Sequence, residues 1–276
     1  MSTLPPHASF AARAWHAGFR AFCALVLLFL MLPILVTVPL SFNAEPYFTY
    51  PMPGLGLKWY RELLAEPNWA LAMKNTLLVG VASTLIATVL GVLAALGLNH
   101  RSLPYREAIT AFLISPMVVP AVIAAVGMYF FYNRFGLANH LLGIILAHAA
   151  LGTPFVVITV TATLQGFNDN LVRAARSLGA GPLRAFLKVK LPLIAPGVVS
   201  GAVFAFATSF DEVVVVLFLG GVEQRTVPRQ MWSGVREQLS PTILAMATVL
   251  TVVSILLLLT LEALRRRGER LRSAAP

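Results

Sequence analysis

Two adjacent carboxylates stand inside a long apolar segment in the C-terminal third of the chain. Asp211 and Glu212 follow Thr208 and Ser209 and precede the apolar run 213–222. An ionised carboxylate inside a membrane span costs on the order of 2.5–3.5 kcal/mol on insertion scales, so both groups must face protein or water. In a cavity of low dielectric constant, such carboxylates attract a cation.

Two interpretations of this acidic pair remain open. In the first, the carboxylates and the two hydroxyl groups form a polar strip on one helix face and line the path of a cationic solute. Counting back from Gly220, Asp211 then lies about nine residues, or ~14 Å, below the outer end of the helix. In the second, the carboxylates make an ion pair or a helix cap with a neighbouring subunit. A catalytic dyad is disfavoured, because adjacent residues diverge by ~100° around a helix axis.

Other residues whose side chains could bind a metal or form a disulfide give weaker evidence for a functional site. His148 stands alone in an apolar segment, which is more typical of a hydrogen-bonded packing residue than of a metal ligand. Cys23 is the only cysteine, so neither an intrachain disulfide nor a thiol metal cluster is possible. Gly197 and Gly201 form a small-xxx-small face that allows close helix approach, either within this subunit or between subunits. We therefore expect no metal site and no cofactor held by this chain.

A different pattern occupies residues 166–192, which read GFNDNLVRAARSLGAGPLRAFLKVKLP. Asn168 or Asp169 can cap a helix over Leu171–Leu178, the segment 179–181 supplies a turn, and Pro182 can begin a second helix. The loop is therefore predicted to be a helix-turn-helix.

The first helix of this loop presents apolar and basic groups side by side. Two surfaces would fit it: anionic lipid of the inner leaflet, or a shallow groove on another protein. Physical reasoning alone does not choose, since a basic amphipathic helix suits both. The apolar residues are Leu171, Ala174, Ala175 and Leu178, and the basic ones are Arg173 and Arg176.

The acidic pair and the 166–192 loop belong to a chain that has six charge-free segments. The chain is 58% hydrophobic and only 12% charged, and each segment reaches the ~20 residues that cross a bilayer. We predict an all-α polytopic membrane protein with about six transmembrane helices, the first uncleaved and the fourth ending near Gln165. The segments are 21–44, 75–100, 108–133, 135–168, 191–210 and 238–261, with the fifth extended through 213–222.

The distribution of basic residues predicts the topology. With both termini in the cytoplasm, 14 of the 21 Lys and Arg residues fall on inner segments, as the positive-inside rule requires. The net charge of +10 is thereby explained without nucleic acid. The predicted regions are a cytoplasmic arm at 1–20, a membrane domain at 21–264 with an external segment at 41–72 and the cytoplasmic loop at 166–192, and a basic cytoplasmic tail at 265–276.

The loop resembles the cytoplasmic signature of ABC importer permeases, which runs Glu-Ala-Ala, three residues, Gly, nine residues, Ile-x-Leu-Pro. Every spacing is kept, although Arg173 replaces the Glu and Val189 replaces the Ile. Four further segments, SFN at 41–43, NTL at 75–77, AH at 147–148 and AFATSFDEVVVVLFLGG at 205–221, look like the permeases for spermidine and putrescine. The matching loop residues are Arg173, Ala174, Ala175, Gly179, Val189, Leu191 and Pro192.

The resemblance, which covers about residues 20–264, implies a type I ABC importer permease of the bacterial inner membrane. It implies that the loop is a coupling helix seated on a separate cytoplasmic ATPase dimer, which would use ATP and Mg. A second permease subunit and an external solute-binding protein are the other implied partners, besides membrane lipid. Polyamine is the implied substrate; an amino acid, an opine or iron are alternatives. The chain lacks a phosphate-binding P-loop of its own.

Two other functional classes are disfavoured. A secondary transporter would tend to show inverted repeats, and the two halves of this sequence show no clear correspondence. An intramembrane enzyme would need a convergent set of catalytic groups, which the sequence does not present. We therefore expect a transport subunit that is not itself an enzyme.

Overall fold

The computed structural model describes residues 9–100, 102–237 and 240–273, and most of them are helical. Residues 1–8 of the predicted arm, Arg101, and residues 274–276 with most side chains of the predicted tail lie outside this description. The helices are α1 Phe10–Leu40, α2 Lys58–Ala65, α3 Pro67–Leu98, α4 Arg106–Ile114, α5 Ala121–Asn133, α6 Leu141–Gln165, α7 Asn170–Ser177, α8 Pro182–Ala185, α9 Leu191–Asp211, α10 Val214–Leu219, α11 Val227–Glu237 and α12 Pro241–Ser273.

Five helical segments are long and apolar enough to cross a membrane, and a bent pair of helices supplies a sixth crossing if the pair counts as one span. The prediction of about six spans is confirmed in this sense, as is the end of the fourth at Gln165. The five single segments are Phe10–Leu40, Pro67–Leu98, Leu141–Gln165, Pro182–Asp211 and Pro241–Thr260.

The third predicted span is not one continuous helix. Its halves, Arg106–Met117 and Ala121–Asn133, meet at a bend of 99°. Pro116 and Pro120 flank the break, and proline removes the backbone N–H that a continuous helix would need at each position. The absence of charge over 108–133 predicted the length of the apolar segment correctly but not its interruption.

The chain separates into two compact units. The larger, Leu64–Gln238 with Leu250–Pro276, has its core where α3, α6 and α9 pack on one another. One buried cluster joins Ala87, Val156 and Ile194, and a second joins Ile144 to Val216 on α10. The small residues along these three helices allow the close approach, and the C-terminal end of α6 and the start of α9 in this core flank the 166–192 loop.

The smaller unit comprises Met1–Leu63 with Leu239–Val249. Within it α1 begins at Phe10, ten residues before the end of the predicted arm, and the Ser9 hydroxyl caps it by accepting a hydrogen bond from the Ala12 N–H at 3.3 Å. Half of the predicted arm is thus helical. No described residue of α1 is buried, so this helix leaves its apolar surface free for lipid or another chain.

The part of the predicted external segment that lies in the smaller unit is held by polar contacts. The Ser41 and Tyr60 hydroxyls lie 2.7 Å apart, and the Trp59 indole N–H donates to the carbonyl oxygen of Asn43 at 2.7 Å. The Thr242 hydroxyl donates to a carboxylate oxygen of Glu62 at 3.2 Å. Trp59 is buried, and the rings of Phe42 and Tyr60 lie 5.1 Å apart.

Candidate partner-binding loop and translocation residues

The 166–192 loop is a helix-turn-helix, as predicted. α7 covers Asn170–Ser177, and Gly179 turns the chain with a φ of +87°, a left-handed conformation that favours glycine. At the start of α7 the Asn168 side chain accepts a hydrogen bond from the Asn170 N–H at 3.0 Å. The Asp169 side chain makes no cap; instead its carboxylate lies 3.6 Å from the Lys190 ammonium group.

The second helix of the loop and the fifth span are not separated by a break. α8 starts at Pro182, continues as a π-helical turn over Phe186–Lys190 and runs directly into α9. Val189, Leu191 and Pro192 therefore lie on one 30-residue helical segment, Pro182–Asp211, about 45 Å long at 1.5 Å per residue. This continuous segment connects the turn after α7 to the core that is packed around α9.

The predicted apolar patch on α7 is available to a partner. Leu178 is 88% exposed and Leu171 is 45% exposed; Ala174 is also exposed, while Ala175 is half-buried. Arg173 beside them is exposed as well. Small residues flanked by two leucines form a low apolar surface that suits a shallow groove.

The acidic pair is placed differently from the sequence prediction. The fifth span does not extend through 213–222: α9 ends at Asp211, Glu212 is extended with a ψ of 118°, and α10 begins at Val214. The Glu212 carboxylate accepts a hydrogen bond from the Val215 N–H at 2.8 Å. Glu212 therefore caps α10 within this chain, and Asp211, which is exposed, stands at the end of the α9 helix and not about nine residues inside it.

The predicted polar strip is divided into two groups. Thr208 lies one turn before Asp211 on α9, and its hydroxyl donates to the Phe204 carbonyl at 2.9 Å. Ser209 instead points into the core, where its hydroxyl lies 2.7 Å from Nδ1 of His148 and accepts from the Ser83 hydroxyl at 3.1 Å. Only Thr208, Asp211 and half-buried Glu212 remain on the accessible side.

His148 is a buried, hydrogen-bonded residue of the core. It is 2% exposed, and besides its contact with Ser209 its Nε2 has no hydrogen-bond partner among the described residues. The same described part of the chain has no group of three His, Cys, Asp or Glu side chains that could hold a metal ion. Ser83, its indirect partner, was missed in the sequence because an isolated serine in an apolar span has no distinguishing pattern.

The glycines of α9 pack against α6. A Cβ on Gly201 would lie 2.7 Å from the Cα of Val156, and one on Gly197 would collide with the Thr163 side chain. Real Cβ atoms do not approach backbone that closely. Both glycines therefore serve packing inside this subunit, which was one of the two interpretations left open by the sequence.

Asn75 and Thr76 have a role that sequence reasoning missed. The Asn75 amide donates to the carbonyl oxygens of Glu223 and Arg225 at 2.8 and 3.0 Å, and the Thr76 hydroxyl accepts from the Val227 N–H at 2.8 Å. These residues fix the segment 223–227 to α3. The signal was the NTL segment itself, since polar residues near a span end need partners.

The comparison with protein families decides the class of this molecule. Residues 87–270 match the model of the binding-protein-dependent transport system inner membrane component. The chain belongs to this family. It is therefore a transport permease subunit, which is not itself catalytic, and a multi-pass protein of the bacterial inner membrane.

Two relatives extend the match over most of the chain. The spermidine/putrescine transport system permease protein PotC of Haemophilus influenzae is 29% identical over 249 residues, which cover 90% of this chain and 96% of that protein. The putrescine transport system permease protein PotI of Escherichia coli K12 is 31% identical over 229 residues, covering 80% and 81%. The resemblance to polyamine permeases seen in the short segments is thereby confirmed.

Solved structures agree on the fold. A bacterial ABC transporter that imports the acidic polysaccharide alginate has a chain that matches with a TM-score of 0.71 at 17% identity, covering 95% of this chain and 99% of that one. A chain of the MetNI methionine ABC transporter matches with a TM-score of 0.58 at 20% identity over 76% and 98%. The fold is that of ABC importer permeases.

Proposed function

We propose that this chain is the permease subunit of an ATP-driven importer for polyamines, spermidine or putrescine, and that the 166–192 loop couples it to a separate ATPase. The observation that carries the proposal is the exposed apolar face of α7, which includes Ala174 and Ala175 of the family's coupling signature. Leu178 is 88% exposed, and an apolar side chain on a polar loop gains most from burial against a partner.

The coupling would be mechanical. ATP binding closes a cytoplasmic ATPase dimer and displaces α7, which is joined to α9 through the turn at Gly179 and the Pro182–Asp211 helix. Because Gly197 and Gly201 bring α9 into direct contact with α6, the displacement reaches the core as a rigid-body shift. The cavity would then alternate between inward-facing and outward-facing forms, and hydrolysis would reset it.

The proposal assigns Asp211, with Thr208 and Glu212, to the translocation path. Asp211 is exposed, and its carboxylate would attract a polyamine through the long-range field of a narrow cavity. The relatives named for spermidine and putrescine support the choice of substrate. Glu212 contributes indirectly, since its carboxylate holds the start of α10.

Further partners follow from the same role. One such subunit cannot enclose a path, so a second, similar permease is expected to complete it, and α1, with no described residue buried, offers apolar surface for contact with protein or lipid. An external solute-binding protein would deliver the substrate, and ATP and Mg would be bound by the ATPase. In this scheme the chain itself binds no cofactor.

Reconstitution tests the proposal. The chain is co-expressed with a candidate second permease, ATPase and binding protein from the same organism, and the complex is placed in liposomes that contain ATP. We expect uptake of labelled putrescine or spermidine that requires ATP and the binding protein. Uptake driven by an ion gradient without ATP would contradict the proposal, as would a binding protein that holds an amino acid, an opine or iron and no polyamine.

The path residues are tested in the same liposomes. Asp211→Asn removes the charge and keeps the size, so we expect the KM for polyamine to rise by about tenfold, equivalent to ~1.4 kcal/mol, with assembly unchanged. Thr110→Val, at an exposed hydroxyl of α4, is a matched control and should transport normally. Normal kinetics in both Asp211→Asn and Glu212→Gln would exclude the acidic pair from the path.

A further inference from the structure

A cavity of about 930 Å³ lies beside α7, at the C-terminal ends of α3 and α6, and α6 leads directly into the loop. Its walls are strongly polar, and its position is the predicted cytoplasmic edge of the membrane. We call it the inner-end cavity. The residues with side chains that could bind a ligand there include Asn99, His100, Arg106, Gln165, Arg173 and Lys190.

The inner-end cavity carries unbalanced positive charge. Asp169 is the single carboxylate among its lining residues, and it is already paired with Lys190 at 3.6 Å. The Lys190 ammonium group also lies 5.2 Å from the centre of the Phe167 ring. Within the described part of the chain, neither the Arg106 nor the Arg173 guanidinium has an ion-pair or hydrogen-bond acceptor.

Two guanidinium groups in the lining of one cavity favour an oxyanion that can accept forked hydrogen bonds. Phosphate groups meet this requirement, because each non-bridging oxygen accepts charge-assisted bonds from guanidinium N–H groups. The amides of Asn99 and Gln165 add neutral donors at the same wall. The volume lies within the range of about 300–1,000 Å³ that is common for small-ligand sites.

We propose that the inner-end cavity binds a phosphate group, and specifically the phosphodiester headgroup of an anionic membrane lipid. Basic pockets between the cytoplasmic ends of transmembrane helices commonly take such headgroups. The orientation of the cavity rests on the cytoplasmic placement of the 166–192 loop in the proposed function. The chemistry of the cavity does not depend on which substrate is transported.

Arg173 distinguishes this cavity from the corresponding place in the family pattern. It stands where the family signature has Glu, so this chain places a cation in the cavity lining where a carboxylate would lower the positive charge. A bound phosphodiester would join Arg173 on α7 to Arg106 at the start of α4. The lipid would thereby restrain the same helix that is proposed to move with the ATPase.

Lipid binding to the complex of the full-length chain with its partner subunits tests the site. Phosphatidylglycerol, phosphatidylcholine and inorganic phosphate are the probes, and native mass spectrometry counts retained lipid. We expect phosphatidylglycerol to be retained over phosphatidylcholine, and Arg106→Gln with Arg173→Gln to weaken its retention by at least about tenfold, since two charge-assisted contacts are removed. Arg20→Gln, at an exposed cation of α1, should stay within about twofold of the parent chain.

Competition between the lipid and inorganic phosphate shows whether the cavity recognises any phosphate group or the whole lipid headgroup. Millimolar inorganic phosphate that displaces phosphatidylglycerol indicates a shared oxyanion site, and resistance to phosphate indicates recognition of the whole headgroup; both support the proposal. Equal lipid retention by the parent and the double variant would overturn it. Retention by the isolated chain that is lost when the ATPase binds would also overturn it, because an acidic side chain of the ATPase would then fill the cavity.

Controls keep this result independent of folding and of the proposed function. If the double variant does not assemble, Arg106→Gln alone and Arg106→Lys are compared, and Lys should retain more lipid than Gln. Uptake is measured on the same preparations. Lipid retention without ATP-driven uptake contradicts the proposed function alone, whereas uptake without arginine-dependent lipid retention contradicts the cavity assignment alone.

Discussion

Small residues lie on two helices of this molecule and have opposite surroundings. On α9, Gly201 is buried against α6 so closely that a Cβ would lie 2.7 Å from the backbone of Val156. On α7, Ala174 is exposed and is followed one turn later by Leu178, 88% exposed. Within this chain the α9 surface is already filled, whereas the α7 surface is open.

The difference separates residues that hold the subunit together from residues that would act on another subunit. A larger side chain at a filled contact clashes with the packed residues of the same chain and lowers its stability. A substitution at an open contact leaves the chain's own stability unchanged and affects only what docks there. Substitutions on the packed face of α9 should therefore lower the stability of the chain, whereas substitutions on the exposed face of α7 should lower transport and leave stability unchanged.

The largest expected effect is at the filled contact. Gly201→Leu forces a side chain into the backbone of α6, and we expect a loss of about 3 kcal/mol in the free energy of unfolding. Thermal unfolding of the detergent-solubilised chain would report it. Gly127→Leu on α5 is the matched control, because a Cβ there meets nothing within 4 Å; similar losses at both glycines would contradict the packing account.

The next effect is at the open contact. Leu178→Asp places a charge on the proposed docking face, and we expect ATP-driven uptake to fall at least about tenfold, or ~1.4 kcal/mol, with an unchanged unfolding temperature. Leu183→Asp, at another exposed leucine of the loop that is outside the α7 patch, is the control and should retain most uptake. Equal losses at the two leucines would show that the patch has no special role.

A smaller loss of stability is expected at the contact between α3 and the segment 223–227, which is made by hydrogen bonds and not by close packing at glycine. Asn75→Ala removes the donor to the carbonyl oxygens of Glu223 and Arg225, and we expect it to cost about 1 kcal/mol of stability. Asn68→Ala is the control, since that amide contacts only the exposed carboxylate of Glu66 at 3.3 Å among described groups. Chemical denaturation measures both, and no difference between them would remove the anchoring role from Asn75.

The smallest effect concerns the cap of α10. Glu212→Ala loses the acceptor for the Val215 N–H, which should lower stability by about 0.5 kcal/mol. Glu212→Gln keeps an oxygen in place and should be nearly neutral. Destabilisation by Gln equal to that by Ala would mean that the charge of Glu212, and not its hydrogen bond, matters to the fold.

Sequence reasoning succeeded where a single local rule decides the structure. The turn at Gly179 follows from a left-handed conformation that few other residues adopt, and the end of α6 at Gln165 follows from the transition from apolar to polar residues. Charge-free length likewise located the apolar segments of the six predicted crossings. The family could be recognised from the loop signature because the spacing of the signature is independent of how the helices pack, and the family match confirms it; the coupling role of the loop stays a prediction.

It failed where two elements compete for the same residues. The bend after Met117 depends on Pro116 and Pro120 acting together, which counting of charges does not register. Glu212 could extend α9 or cap a new helix, and only the packed structure shows that it caps. Ser209 was grouped with Asp211 by proximity in the sequence, although the two point to different sides of α9.

The central claim is that α7 docks on an ATPase, and crosslinking tests it most directly. With Cys23→Ala as background, Ala174→Cys is introduced and labelled with a thiol-reactive photocrosslinker, which needs no cysteine on the ATPase, and the complex is then irradiated. The account predicts one crosslinked species of permease plus ATPase, whose yield changes when ATP is added. Crosslinking to the ATPase through Tyr105→Cys, at an exposed position outside the loop, with none through position 174 would contradict it.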